Sequence, residues 1–269
     1  MLLAELPESE ASGEKARIYA EIRRLGGVPM VALIFRHLAT LPGGIEWAWN
    51  ALAPAWKSGR LQETAWRIAR EAPMDDIAPI PREALAALAV DAAGLEEIRV
   101  VARAYNRANP ENMLAVLCLL RLIDGAKPTR AADSNAWTAP VAPGPLVPMT
   151  DVAAMTQEVA ALLDLVAAPG ELGGPRVVQS LYRHFGQRPG FLALLVTLLL
   201  PRFAEGSIAR SVRSLRASMD AAASDITAML VAPAAPHPGI EPVLKHFGGG
   251  VIPEMIVVGA LLERALPLR

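Results

Sequence analysis

Cysteine is nearly absent from this chain. The single one, Cys118, excludes an intramolecular disulfide and any CxxC redox or zinc pair. It lies in the apolar stretch "MLAVLCLLRLI" and reads as a small core residue rather than a nucleophile. Aromatic residues are scarce at 5%, and runs of β-branched residues are short, which argues against a strand-built protein. Net charge is also lacking: 26 Lys and Arg stand against 27 Asp and Glu, for a formal charge of -1. Such a balance gives no electrostatic reason to expect nucleic acid or an anionic membrane surface as a partner. No hydrophobic run is long enough to span a bilayer. The longest, "FLALLVTLLL" at 191–200, is bounded by Pro189 and Pro201, and would extend about 15 Å as helix against a hydrocarbon core of about 30 Å. The N-terminal "MLLAELPESEASGEKAR" is acidic and lacks the basic and apolar regions of a signal peptide. These absences lead to the expectation of a soluble cytoplasmic protein.

What the chain does have is helix-forming sequence. Of its 269 residues 53% are hydrophobic, with many Ala and Leu, enough for one large core or two small ones. Between 126 and 149, "AKPTRAADSNAWTAPVAPGPLVPM" carries Pro128, Pro140, Pro143, Pro145 and Pro148. Proline cannot donate a backbone hydrogen bond and disfavours helix in the residue before it. The stretch therefore reads as an extended linker between a first half, 1–125, and a second, 150–269. The halves look like copies of one unit. "LGGVP" at 25–29 lies over "FGQRP" at 185–189, each leading into an apolar helix, and 98–122 lies over 240–264 in the same order. The expectation is an all-α protein of two tandem helical repeats forming a pseudo-dimer.

Periodicity and breakers predict helices at 10–25, 29–40, 43–56, 59–71, 81–90, 94–107 and 110–123 in the first half. The second half reads as 151–167, 175–186, 189–202, 205–217, 219–230, 240–246 and 252–265. Pro110 is placed at a helix start, with Asn109 as its cap. Gly248, Gly249 and Gly250 read as a turn. Trp49 and Trp56, seven apart, share a stripe facing the core.

Chemistry-bearing residues are few. His184 lies one turn beyond Ser180 on the same helical face, and an imidazole there could serve as a base. His37, His184, His237 and His246 show no metal-binding spacing, so no metal site is expected. Asn106, Asn109 and Asn112 recur every three residues in "YNRANPEN", and Asn106 offers an amide where the second half has bare glycine. No GxGxxG, GxxxxGK[ST] or GxSxG motif occurs.

The segments "IYAEIRRLGGVPMVALIFRHLATLPGGIEWAWNALAP", "VVQSLYRHFGQRPGFLALL" and "AYNRANPEN", with the two-repeat order and the proline linker, resemble the group I 2-haloacid dehalogenases, the DehI family. The resemblance implies one site between the repeats, with no metal and no organic cofactor. In that family an aspartate activates water, which displaces halide directly from the α-carbon of a 2-halocarboxylic acid, and an asparagine helps to hold the water. Carried over, the asparagine is Asn106. The aspartate position falls on Leu181, beside Ser180, and no aspartate occurs between Asp164 and Asp220. The resemblance makes Ser180, Leu181, Met30, Leu33 and Trp47 substrate-binding residues. It leaves His184 or Glu21, with Glu171 nearby, to stand in for the missing carboxylate. Two readings follow. One is a cofactor-free hydrolase of carbon–halide bonds acting on a small carboxylic acid. The other is a non-catalytic helical module that binds such an acid or a partner protein. Homodimer formation is left open.

Overall fold

The computed structural model describes residues 4–131, 137–167, 178–232 and 234–267. Its elements are α-helices, and no strand occurs among the described residues. The first half contributes α1 (Gly13–Gly26), α2 (Leu33–Leu38), α3 (Gly44–Lys57), α4 (Arg60–Glu71), α5 (Arg82–Ala87) and α6 (Ala92–Ile123). After the linker come α7 (Gln157–Val166), α8 (Ser180–Phe185), α9 (Pro189–Ala204), α10 (Ser207–Thr227), α11 (Ile240–His246) and α12 (Ile252–Ala265).

The long helix α6 is the axis of the fold. Asp91 opens it by accepting a hydrogen bond from Gly94 N at 2.8 Å, which satisfies one of the free first-turn donors. Helices α4, α10 and α12 pack along it, and its residues from Ala108 to Leu119 are buried without a break. The two helices expected at 94–107 and 110–123 are thus one, running through Pro110. Proline removes the hydrogen bond to the carbonyl four residues back and ordinarily breaks a helix. Here burial against three neighbouring helices outweighs that loss. Asn109 is therefore not a cap but an interior residue of α6. The pair expected at 205–217 and 219–230 is likewise continuous as α10.

Two other expectations change. Helix α2 is shorter than 29–40, and residues 28–32 precede it as non-helical chain. Gly248–Gly250 do not turn the chain: residues Phe247–Val251 form one π-helical turn that joins α11 to α12. A Cβ on Gly248 would meet Val116 Cγ1 at 2.8 Å, so a bare backbone lets this wide turn approach α6. The combined helix Ile240–Ala265 is long and apolar enough to cross a membrane, yet more than half of it is buried inside the protein, as a core helix would be.

Residues 124–131 and 137–150 hold no helix longer than a turn. This segment is nonetheless pinned. Trp137 donates from Nε1 to the Leu25 carbonyl at 2.8 Å and packs against Trp66, ring centres 6.1 Å apart. Its indole lies over Gly59, whose φ of +76° and lack of a side chain both suit that corner. Trp49 and Trp56 are buried 5.8 Å apart in the core beside Phe35. Cys118 is buried, and burial pushes its thiol up to about 12, which leaves no thiolate at neutral pH.

Candidate functional site

A cavity of about 310 Å³ lies where α6, α2, the linker, α8 and the π turn with α12 meet. Helix α6 presents Tyr105, Ala108, Asn109 and Asn112, at the spacing that puts side chains on one stripe. Chain entering α2 brings Met30 to Ile34 and Arg36, and the linker brings Leu146 to Met149. Val178 to Leu181 and His184 come from the start of α8. Phe247, Val251, Ile252 and Met255 close the remaining side. Among the described residues that line the cavity there is no aspartate or glutamate, and one arginine, Arg36.

Helix α8 is apolar on the face that carries Leu181, Tyr182 and Phe185 into the core. That docking fixes His184, 5% exposed, against the linker and α6. Its Nδ1 lies 2.6 Å from the Val147 carbonyl oxygen, and its Nε2 lies 3.2 Å from the Tyr105 hydroxyl. A carbonyl only accepts, so the Nδ1 proton is donated to Val147 and Nε2 of the neutral ring accepts from Tyr105. Burial holds the His184 pKa below 6.5, partly opposed by the Val147 bond, and the nearby Arg183 charge lowers it further. Tyr105 is pushed up to about 12 by burial, and a hydrogen bond with Ser180 works the other way. The result is a hydrogen-bonded run from Tyr105 through an oriented neutral imidazole to Val147, with Ser180 beside the Tyr105 hydroxyl.

Two further polar groups in the lining lack protein partners. Asn109 Nδ2 and Gln179 Oε1 are buried without a hydrogen bond. Such orphans are rare in folded proteins and mark places for water or ligand. Gln179 Nε2 donates to Glu254 Oε1 at 3.2 Å, and burial lifts the Glu254 carboxyl to about 7. Glu254 stands behind the wall rather than in it.

The structure gathers Met30, Leu33, Ser180, Leu181 and His184 into this cavity. It leaves three sequence candidates elsewhere. Asn106 lies off the Tyr105–Asn112 stripe because α6 runs on through Pro110. Its Nδ2 donates to the Gly259 carbonyl at 3.1 Å and to Glu263 at 2.8 Å, in a separate groove. Trp47 donates from Nε1 to the Ala234 carbonyl at 2.8 Å and does not line the cavity. Glu21 pairs with Arg24 along α1, 3.1 Å apart, and is also outside the lining. Glu171 lies outside the described residues. Sequence reasoning had no role for Tyr105, Arg36 or Gln179, and it read Asn109 and Asn112 as amides suited either to holding a water or carboxylate or to capping a helix. The spacing of 105, 108, 109 and 112 carried the signal, but it was hidden by treating Pro110 as a helix start. Among the described residues no cluster of His, Cys, Asp and Glu could hold a metal ion.

No family model matches the chain. Over 98% of its length the fold matches that of a D-2-haloacid dehalogenase mutant solved in complex with D-2-CPA, at a TM-score of 0.71, 16% identity and 94% coverage of that structure. A D-2-haloacid dehalogenase in complex with L-LA matches equally, at a TM-score of 0.71 and 17% identity. The class is thus an all-α protein with the D-2-haloacid dehalogenase fold. By sequence, 198 residues (71% of the chain) are 31% identical to a configuration-inverting 2-haloacid dehalogenase of Alcaligenes xylosoxydans xylosoxydans. The match spans 62% of that relative's length. Sequence and fold agree in their likeness to 2-haloacid dehalogenases.

Proposed function

We propose that the protein hydrolyses 2-halocarboxylic acids without a cofactor, water displacing halide from the α-carbon with inversion. The observation that carries this is the oriented, neutral His184, hydrogen-bonded to Tyr105 beside Ser180 in a cavity with no carboxylate among its described lining residues. No described wall residue repels an anionic substrate, and Asn109, Asn112 and Ser180 offer it hydrogen-bond donors, whereas the Arg36 charge is already paired with Glu5 at 2.6 Å. The water is held by the unpartnered Asn109 amide and by Ser180, which replaces Asn106 in the water-positioning role. As the C–O bond forms, the C–halogen bond breaks and halide leaves with the bonding pair. The water proton passes to Tyr105 Oη as Tyr105 gives its own to His184 Nε2. A phenol held near 12 is not a resting phenolate, so the two transfers are concerted. Displacement at an sp3 carbon needs no protonation of the leaving halide and inverts the centre.

The cavity lies between elements from both sides of the linker. The reading of two tandem repeats, 1–125 and 150–269, is supported by α2 and α8: each has six residues, an extended residue at its N-cap and no side-chain cap, and both begin at the cavity. We take the protein to be cytoplasmic.

The test is halide release from racemic 2-chloropropionate and 2-bromopropionate, with chiral analysis of the lactate formed. Release with inverted product supports the reading. A carboxylate-free lining also suits a protein that binds the acid without turning it over. Binding of 2-chloropropionate with no halide above a buffer blank would select that second reading.

A further inference from the structure

We infer that the substrates are 2-halo acids carrying an extended apolar tail, of about five to eight carbons, rather than two- or three-carbon acids. This deepens the dehalogenase reading and rests on it. A cavity of about 310 Å³ has room for roughly ten waters at about 30 Å³ each. It stands at the lower end of the range, about 300–1,000 Å³, of sites that enclose drug-sized ligands. A three-carbon acid would leave most of it empty or wet.

The lining is divided by element. Most polar groups come from α6 and the start of α8, Tyr105, Asn109, Asn112, Gln179, Ser180 and His184, with Arg36 from α2 and His246 from the end of α11 as the exceptions. The chain entering α2, its first turn, and the π turn with α12 supply apolar ones, among them Leu33, Phe247, Val251, Ile252 and Met255. Leu181, fully buried at the base position, adds to the apolar share. One family of walls suits a carboxylate and the reacting carbon; the other, Arg36 and His246 apart, is apolar and suits hydrocarbon. The unbranched thioethers of Met30, Met149 and Met255 adapt to chains of different length.

The experiment compares kcat/KM for halide release from 2-bromopropionate, 2-bromobutanoate, 2-bromohexanoate and 2-bromooctanoate. Transfer of one methylene from water predicts a rise of about fourfold per carbon until the cavity is full. A flat or falling series, with release from 2-bromopropionate intact, overturns the tail inference and leaves the dehalogenase reading standing. If no acid releases halide, the hydrolytic reading fails on its own, and calorimetry with octanoate and propionate then decides the tail. Tighter binding of octanoate supports it; equal or weaker binding overturns it.

Discussion

Replacing His184 by glutamine separates a proton acceptor from a structural histidine. The buried ring makes two hydrogen bonds, to Val147 and Tyr105. Each such bond is worth about 1 kcal/mol net, and glutamine can donate and accept in its place. The stability loss should be about 1–2 kcal/mol, a fall of several degrees in Tm for a chain of this size, with the fold intact at room temperature. The kinetic loss should be far larger, about 10²–10⁴ in kcat, because a general base is removed. Halide release followed across pH supplies the second readout. The neutral ring is the base, and burial holds its pKa below 6.5. Wild-type activity should therefore be level above neutrality and fall only on acidification below 6.5. Tyr105→Phe, which keeps the ring but cuts the path to Nε2, should lose a comparable factor. A folded His184→Gln protein with wild-type kcat, or an acid limb centred well above 6.5, would refute the relay.

Two further predictions concern carboxyl groups. Leu181→Asp places a carboxylate in the cavity at the position that the resemblance assigns to the family's base. It should lower stability by at least the roughly 1.5–3 kcal/mol of a buried leucine, and raise halide release by on the order of 10²; a folded variant with unchanged rate would show that position 181 does not face the attacking water. Glu111 is buried at 1% exposure, and burial raises its pKa well above 4.5, opposed by a hydrogen bond with Trp66 and by Arg107. A raised folded-state pKa makes stability fullest below the unfolded value and erodes it as pH climbs towards the folded one. Glu111→Gln, which cannot ionise, should therefore show a smaller drop in Tm between pH 5 and pH 8 than the wild type; identical thermal profiles would contradict a protonated Glu111.

The helical class was legible because it depends on composition and period, which are local properties. The misplaced boundary at Pro110 and the misread Gly248–Gly250 came from proline and glycine, whose effects depend on what lies around them; the break expected after 217 involves neither, and α10 runs straight through it. Pro110 sits inside a helix where the sequence reading placed a boundary, while Pro54 and Pro201 sit inside helices that it already ran through them. Burial of α6 on several sides, which no local pattern reports, carries the chain through Pro110. That continuity decides the site: it turns Asn109 and Asn112 towards the cavity and sends Asn106 to α12. The three glycines read as a turn because a π-helical turn has no sequence rule of its own; its cause is the approach to Val116, far away in sequence. Ser180, Leu181 and His184 were legible because they share one short helix, so their common face follows from spacing alone. Tyr105, the partner that gives His184 its orientation, lies 79 residues away and had no local signal.

Helix α6 precedes the linker, yet α10 and α12, which follow it, pack along its length. The ends are tied across the same divide: Ile80 N donates to the Ala265 carbonyl at 2.7 Å, and Arg99 reaches the Pro267 carbonyl at 2.5 Å. Val141, 90% exposed, is an accessible point on the covalent thread between them. Cutting that thread would not open the cavity, since its walls are held by side chains rather than by the peptide join. Expressed as two separate pieces, the polypeptide would behave as an obligate heterodimer, each piece presenting the other with a raw hydrophobic face until they meet.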